Sequence, residues 1–321
     1  MTKDKIIVCV SASFEQKKAL LKTIKRYAQY SDERFVYWDE FAFTTEPLPG
    51  CDAVIVFNTP GESIRTSCYP EKTIAFMMEP GDAVKHPWMF KRLDQYHKVF
   101  SPLSRSANTV LSHGFLGWYL PHDYNYLKNL AMPSKTRSVS CIASDLNQLE
   151  GHRRRLVFVK TLRQRLPQID FFGKGSHFLP DKMDGLLPYR YSIAIENSSQ
   201  PYYFTEKIND CFLAWTIPVY YGCKNIGRYF PEKSFIQINI EKTGEAIKKI
   251  ESVLADDGQS RLEAVKEARE LVLNKYQPLA GAADIFRQVH PVSGKKDIAI
   301  APVHPGLFKR IKTTIYKLVK S

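Results

Sequence analysis

Apolar runs alternate with amphipathic stretches along the first part of the chain. Residues 6–12 (IIVCVSA) are almost continuously apolar and read as a buried strand. Residues 14–29 place Ala19, Leu20, Ile24 and Tyr27 near helical spacing. Further strands are expected at 34–38 (RFVYW), 53–57 (AVIVF), 73–78 (TIAFMM) and 98–101 (KVFS). Uninterrupted apolar strands separated by helical patterns predict a parallel sheet covered by helices.

Periodicity is lost at 129–137 (NLAMPSKTR), which reads as a linker. A second series follows, with strands expected at 138–144, 169–172, 191–195, 217–221 and 234–239, and helices at about 151–165, 205–215, 243–255 and 260–275. The fold class is therefore α/β, with two Rossmann-like domains facing a cleft. We place the first at 1–132, the second at 138–290 and a basic tail at 291–321. A length of 321 residues suits two such domains. Open α/β sheets bind ligands at the carboxyl ends of their strands. Glu79, after TIAFMM, and Glu196, after YSIAI, stand at such ends, one per domain, as a bisubstrate enzyme requires.

Composition adds a sharper point through charge. The net charge of +13 is concentrated in two places. Residues 153–165 (RRRLVFVKTLRQR) carry six positive charges and no acid, and residues 291–321 carry a net +6, so the remainder is nearly neutral. Each basic segment needs its own partner. The six cysteines, at 9, 51, 68, 141, 211 and 223, form no C-x-x-C pair and read as reduced, buried thiols. The eight histidines show no zinc spacing. The start MTKDKIIVCV lacks the apolar core of a signal peptide, and no run approaches the roughly 18 apolar residues of a membrane span. The expectation is a cytoplasmic chain, peripheral on the inner face of a membrane.

Residues 191–212 (YSIAIENSSQPYYFTEKINDCF) carry the strongest functional signal. A strand ends at Glu196 and Asn197, a turn with Tyr202 and Tyr203 follows, and a helix begins near Thr205. Glu206 in the first helical turn suits the dipole, but Lys207 adds positive charge where the backbone is already electropositive. An anion is the natural third party, which makes this a strand-turn-helix phosphate pocket. The bland alternative is a capped helix with Thr205 as N-cap and Lys207 paired to Asp210.

Arg153, Arg154 and Arg155 open a second helix and raise the same question; Arg155 shares the apolar side with Leu156, Val159 and Leu162. They read either as a solvated basic face or as an anion site. Glu79 is a solvated loop carboxylate or a general base in the cleft. There is no G-x-G-x-x-G and no G-x-x-x-x-G-K-[ST]; Gly173-Lys174-Gly175 is a weak match to the former. There is no D-x-D to hold a divalent metal on a diphosphate, so no metal is expected and lysines, arginines and helix N-termini would meet the phosphate charge. Residues 305–321 (PGLFKRIKTTIYKLVKS) place Leu307, Phe308, Ile311, Ile315, Leu318 and Val319 at near-helical spacing among basic residues. This segment is a candidate for adsorption to an anionic membrane, or packs back on the protein.

The run Ile195-Glu-Asn-Ser…Tyr203-Phe-Thr-Glu-Lys207-Ile-Asn-Asp-Cys-Phe-Leu-Ala-Trp-Thr-Ile-Pro-Val-Tyr-Tyr-Gly222…Pro231-Glu-Lys-Ser-Phe-Ile resembles the donor-binding signature of family-10 glycosyltransferases, the α1,3/α1,4-fucosyltransferases. Arg155-Leu-Val-Phe-Val-Lys-Thr-Leu…Ile169-Asp-Phe-Phe-Gly173 looks like the family's arginine-led helix, and Phe76-Met-Met-Glu79-Pro like its acceptor-side acid motif. The likeness spans roughly residues 73–240 and is weak elsewhere in the first domain. The resemblance implies the GT-B arrangement, GDP-fucose as donor, no cofactor, and inversion at the anomeric carbon. It implies that Arg155 and Lys207 contact the diphosphate, that Asn197, Tyr203 and Glu206 line the nucleotide and fucose site beside Glu196 and Thr205, and that Glu79 is the general base.

The expected activity is fucose transfer to a hydroxyl of a glycan acceptor, in α1,3 linkage, on a surface polysaccharide or lipopolysaccharide. The alternatives are a transferase of the same family with another nucleotide sugar, and a basic nucleic-acid-binding protein. The second predicts steeply salt-dependent DNA or RNA binding and leaves 191–222 unexplained, so no nucleic-acid partner is expected.

Overall fold

In the computed structural model, which describes residues 5–46, 48–80, 87–173 and 177–303, strand β1 (Ile6–Ala12) sits inside an eight-stranded sheet. The chain continues through α1 (Lys17–Lys25), β2 (Tyr30–Ser31), β3 (Val36–Trp38), β4 (Phe41–Thr44), β5 (Ala53–Phe57), β6 (Ile64–Cys68), β7 (Thr73–Phe76), β8 (Lys98–Ser101) and β9 (Thr109–Leu111). The sheet order is β2-β3-β4-β1-β5-β7-β8-β9. Pairing is parallel from β4 to β9, while β2 and β3 add an antiparallel edge. Alternate residues of β5 feed two cores: Ala53, Ile55 and Phe57 on one face, Val54 and Val56 on the other. That explains why its sequence is apolar throughout rather than alternating. Helix α1 buries Leu20 and Ile24 and leaves its lysines to solvent.

The second half runs through α2 (Tyr124–Asn129), β10 (Arg137–Ile142), α3 (Glu150–Arg165), β11 (Asp170–Phe172), β12 (Tyr189–Ile195), α4 (Glu206–Leu213), β13 (Ile217–Tyr221), β14 (Ile236–Gln237), α5 (Thr243–Val253) and α6 (Leu262–Leu271). Its five strands are all parallel, in the order β11-β10-β12-β13-β14. The linker between the sheets is pinned. The Lys135 ammonium donates to the carbonyls of Leu187 and Ala214, both at 2.8 Å, and to Thr216 Oγ1 at 3.1 Å. Burial lowers its pKa to about 7. Trp215 Nε1 donates to the Leu130 carbonyl at 3.0 Å, and the buried Arg269 guanidinium lies over the Trp215 ring while donating to the Leu127 carbonyl.

The chain then returns to the first sheet, which the sequence-based division did not foresee. Helix α6 passes into a π-helical turn (Val272–Tyr276), and α7 (Pro278–Gln288) starts at a proline with Gln277 as its cap. The Phe286 ring meets Phe41 at 6.2 Å, and Arg287 pairs with Asp39 at 2.7 Å and Glu40 at 2.8 Å. Strand β15 (Lys296–Ile300) pairs antiparallel with β6. Residues 278–288 therefore pack on the first domain, and the segment expected to be all tail from 291 includes a strand. The amphipathic segment 305–321 lies outside the described residues, as do Lys174 and Gly175 of the weak glycine motif. Among the described residues no helix is long and apolar enough to cross a membrane. All six cysteines are buried and free.

Candidate active site

A cleft of about 1000 Å³ opens between the two sheets. The segments after β1, β5 and β7 supply one wall, through Ser13–Glu15, Asn58 and Met78–Glu79. The segments after β10 and β12 and the starts of α3 and α4 supply the other, through Ser144, Asn197, His152, Arg155 and Thr205–Lys207. Of the two strand-end acids, Glu79 lines this space. Asn58, held in the left-handed region at φ 62, accepts the Met78 N–H through Oδ1 at 2.7 Å and so fixes the backbone next to Glu79.

Glu196 does not line the cleft; it is buried behind the start of α4. Its carboxylate accepts from Thr205 N and Thr205 Oγ1, both at 2.8 Å, and from Lys207 Nζ at 3.0 Å. Thr205 is the N-cap, as the capped-helix alternative has it. Lys207 Nζ also meets Glu206 Oε1 at 3.1 Å and Thr205 Oγ1 at 3.0 Å. The misplaced positive charge therefore has its anions inside the protein. Burial alone would push Glu206 up, but Lys207 and Lys182 outweigh it and hold its pKa near 2. Burial pushes Glu196 up despite Lys207. Burial opposes the charge of Lys207, and the two carboxylates overcome that and raise its pKa. Asp210 pairs with Lys182 at 2.6 Å rather than with Lys207, so the expected intrahelical pair does not form.

Arg155 has donor capacity left. It is buried, with one terminal nitrogen donating to Ser144 Oγ at 2.8 Å. Its Nε is buried with no hydrogen-bond partner among the described residues. Burial lowers its pKa, partly offset by Glu196 and Glu206. Arg153 and Arg154 instead pair with Glu150 at 2.8 Å and Glu241 at 2.7 Å on the surface. Arg155 reaches the cleft because α3 seats directly on the end of β12: a Cβ at Gly151 would come within 1.6 Å of the Asn197 carbonyl oxygen. Asn197 in turn accepts from the Tyr203 hydroxyl at 3.1 Å, and its Nδ2 lies 3.4 Å from His152 Nε2. Tyr202, at φ 64, packs instead against the Arg228 guanidinium, 5.7 Å from its ring.

The structure thus brings Glu79, Arg155, Asn197, Tyr203, Thr205, Glu206 and Lys207 to one cleft and leaves Glu196 as a buried positioning group. His152, Lys182 and Glu15 line it as well and were not singled out in the sequence. His152 sits three residues before Arg155, on the same helical face, a spacing that could have flagged it. Among the described residues no group of three or more His, Cys, Asp or Glu side chains is placed to hold a metal ion.

Residues 132–260, which carry the arginine and lysine of this wall, match the model of glycosyltransferase family 10 (fucosyltransferase), C-terminal part. Over those residues the chain is similar to glycosyltransferase family 10. A 3-galactosyl-N-acetylglucosaminide 4-alpha-L-fucosyltransferase of Bos taurus is 28% identical over 203 residues, covering 59% of this chain and 53% of the relative. The chain spans about half the length of the curated relatives it matches. A solved α1,3-fucosyltransferase with GDP-fucose aligns over 99% of this chain and 91% of its own, at 17% identity and a TM-score of 0.47. A solved trehalose-6-phosphate synthase, studied for glycosyltransfer with retention, covers 89% of this chain and 100% of its own, at 10% identity and a TM-score of 0.52. The last likeness concerns the fold alone: two Rossmann-like sheets facing a cleft, the GT-B arrangement.

Proposed function

We propose that this chain transfers fucose from GDP-fucose to a hydroxyl of a glycan acceptor, with inversion at the anomeric carbon. The observation that carries the reading is Arg155. A buried guanidinium with an open Nε lines the cleft from one sheet, and the Glu79 carboxylate lines it from the other. A planar fork in that state suits a diphosphate. The acceptor oxygen attacks the anomeric carbon as its proton passes to Glu79. The bond from that carbon to the diphosphate oxygen breaks, and GDP leaves with the electron pair. The Arg155 guanidinium and the start of α4 meet the developing charge. Asn197, Tyr203 and Glu206 line the donor site. Lys207 joins the diphosphate by exchanging a carboxylate contact for a phosphate oxygen, with Thr205 and Glu196 holding its stem in place. The acceptor is a surface polysaccharide or lipopolysaccharide, linked α1,3. No metal takes part, since protein cations meet the phosphate charge. The enzyme works in the cytoplasm, held on an anionic membrane face by residues 305–321.

The test is a donor panel of GDP-fucose, GDP-mannose and UDP-sugars, read by calorimetry and turnover, with the product anomer assigned by NMR. GDP-fucose should be the donor used, and turnover should survive EDTA. Arg155→Ala should weaken GDP binding about ten- to hundredfold, as loss of a charged hydrogen bond does. Glu79→Gln should keep GDP affinity and lose transfer. Lys207→Ala leaves Glu196 buried without its cation, so it should also cost about 3–5 kcal/mol of stability. Wild-type turnover by Glu79→Gln removes the base assignment, and preference for another nucleotide sugar removes fucose.

A further inference from the structure

One acid of the cleft has no part in the chemistry above. Glu15 follows the carboxyl end of β1 and lines the cleft from the same sheet as Glu79. Its Oε2 is buried and has no hydrogen-bond partner among the described residues. A buried carboxylate oxygen without a donor is unfavourable, and in a ligand cleft the missing donor is one the ligand supplies.

Its surroundings say what kind of ligand. Phe14 and Tyr119 line the cleft while 51% and 61% exposed, and Trp88 lines it too. Aromatic faces beside a carboxylate match a sugar ring, whose C–H face stacks on an aromatic while its hydroxyls donate. Two carboxylates on this sheet, Glu15 and Glu79, also oppose a negative substituent close to them.

We propose that Glu15 is the acceptor-recognition carboxylate of this chain. Its Oε2 accepts a hydroxyl of an uncharged sugar ring stacked on the wall aromatics, and a sugar bearing sulfate or carboxylate on that ring is excluded. The inference rests on the transferase reading and narrows its acceptor to neutral sugars at the reacting end.

The experiment is capture of the full chain, with GDP present, on an array of neutral oligosaccharides and their sulfated and sialylated counterparts, with GDP calorimetry in parallel. Wild-type protein should bind neutral glycans and pass over the anionic ones. Glu15→Ala should weaken neutral capture about tenfold, the effect of losing a hydrogen bond to a charged group. Glu15→Gln should narrow the gap between neutral and anionic glycans. Both variants should keep wild-type GDP affinity and thermal midpoint. Preference for anionic glycans, no capture at all, unchanged variants, or loss of GDP affinity with the substitution each overturns the proposal while leaving GDP binding by the wild type intact. Wild-type protein that does not bind GDP overturns the transferase reading first.

Discussion

The His113 imidazole stacks on Phe204 with ring centroids 4.8 Å apart and meets Tyr229 and Tyr276 edge-on at 5.1 and 5.0 Å. Its Nδ1 accepts the Phe115 N–H at 3.2 Å. Burial drives its pKa from 6.5 down to about 3, so the native ring is neutral throughout the physiological range. The unfolded chain takes up a proton as the pH falls through 6.5 and the native state does not. The stability due to the neutral ring is therefore complete above pH 6.5 and is lost progressively down to pH 3, by about 1.4 kcal/mol per pH unit at most. Urea unfolding at pH 7, 6, 5 and 4 reads this directly. His113→Phe should reduce the acid slope by up to one proton between pH 6 and 4; an unchanged slope means that the ring is charged in the native state. Because Phe204 lies just before α4, acid loss of this packing should loosen the donor wall as well.

At the scale of elements, the start of α3 and the end of β12 form one unit. The Gly151 Cα lies so near the Asn197 carbonyl that a methyl group would come within 1.6 Å of the oxygen, and backbone on both sides leaves no flexible side chain to move. Gly151→Ala must push α3 away from the strand, moving Arg155, His152 and Asn197 together. The expected outcome is a stability loss of about 1–3 kcal/mol together with weakened GDP binding. A variant with the wild-type thermal midpoint and GDP affinity would show that the helix does not need this seat. Much of this arrangement was readable from the chain. Strands β5, β8 and β13 fall on the residues expected of them; β5 and β13 do so because parallel strands buried on both faces are nearly continuously apolar. Arg155 was readable because it alone of the three arginines lies on the apolar side of its helix. Strands β6 and β9 were missed, since IRTSC and TVL are short and partly polar. Glu196 was misplaced because the direction of a side chain just past a strand end is set by the following loop. The Lys207 argument found the right neighbourhood but not its protein partners: periodicity shows a charge that needs a partner, and the fold decides that Glu196 and Glu206 face it.

Across the whole molecule the sheets are tied on two sides of the cleft. Asn209 Nδ2 of α4 donates to the Leu116 and Gly117 carbonyls, both at 2.9 Å, and Asp210 Oδ1 accepts the Tyr119 N–H at 3.0 Å. On the other side α7 and β15 carry the chain back onto the first sheet. The last described contacts of that return are Gln95 with the backbone of Ala301, and Val303 N donating to Thr59 Oγ1 at 3.2 Å. These bonds tie the start of the basic C-terminal segment to the first sheet. Residues up to Val303 take part in the described fold, and the membrane contact proposed for 305–321 is tested by truncation. Truncation after Val303 keeps β15 and should leave the thermal midpoint and turnover of a soluble acceptor unchanged. Truncation after Gln288 removes β15 and should lower the midpoint. Full-length protein should sediment with anionic liposomes at low salt and release as salt rises, because each lysine or arginine near such a surface contributes about 1 kcal/mol and the attraction is screened. The chain ending at Val303 should stay in the supernatant; if it sediments as well as the full chain, or if the full chain ignores the liposomes, residues 305–321 are not the membrane contact.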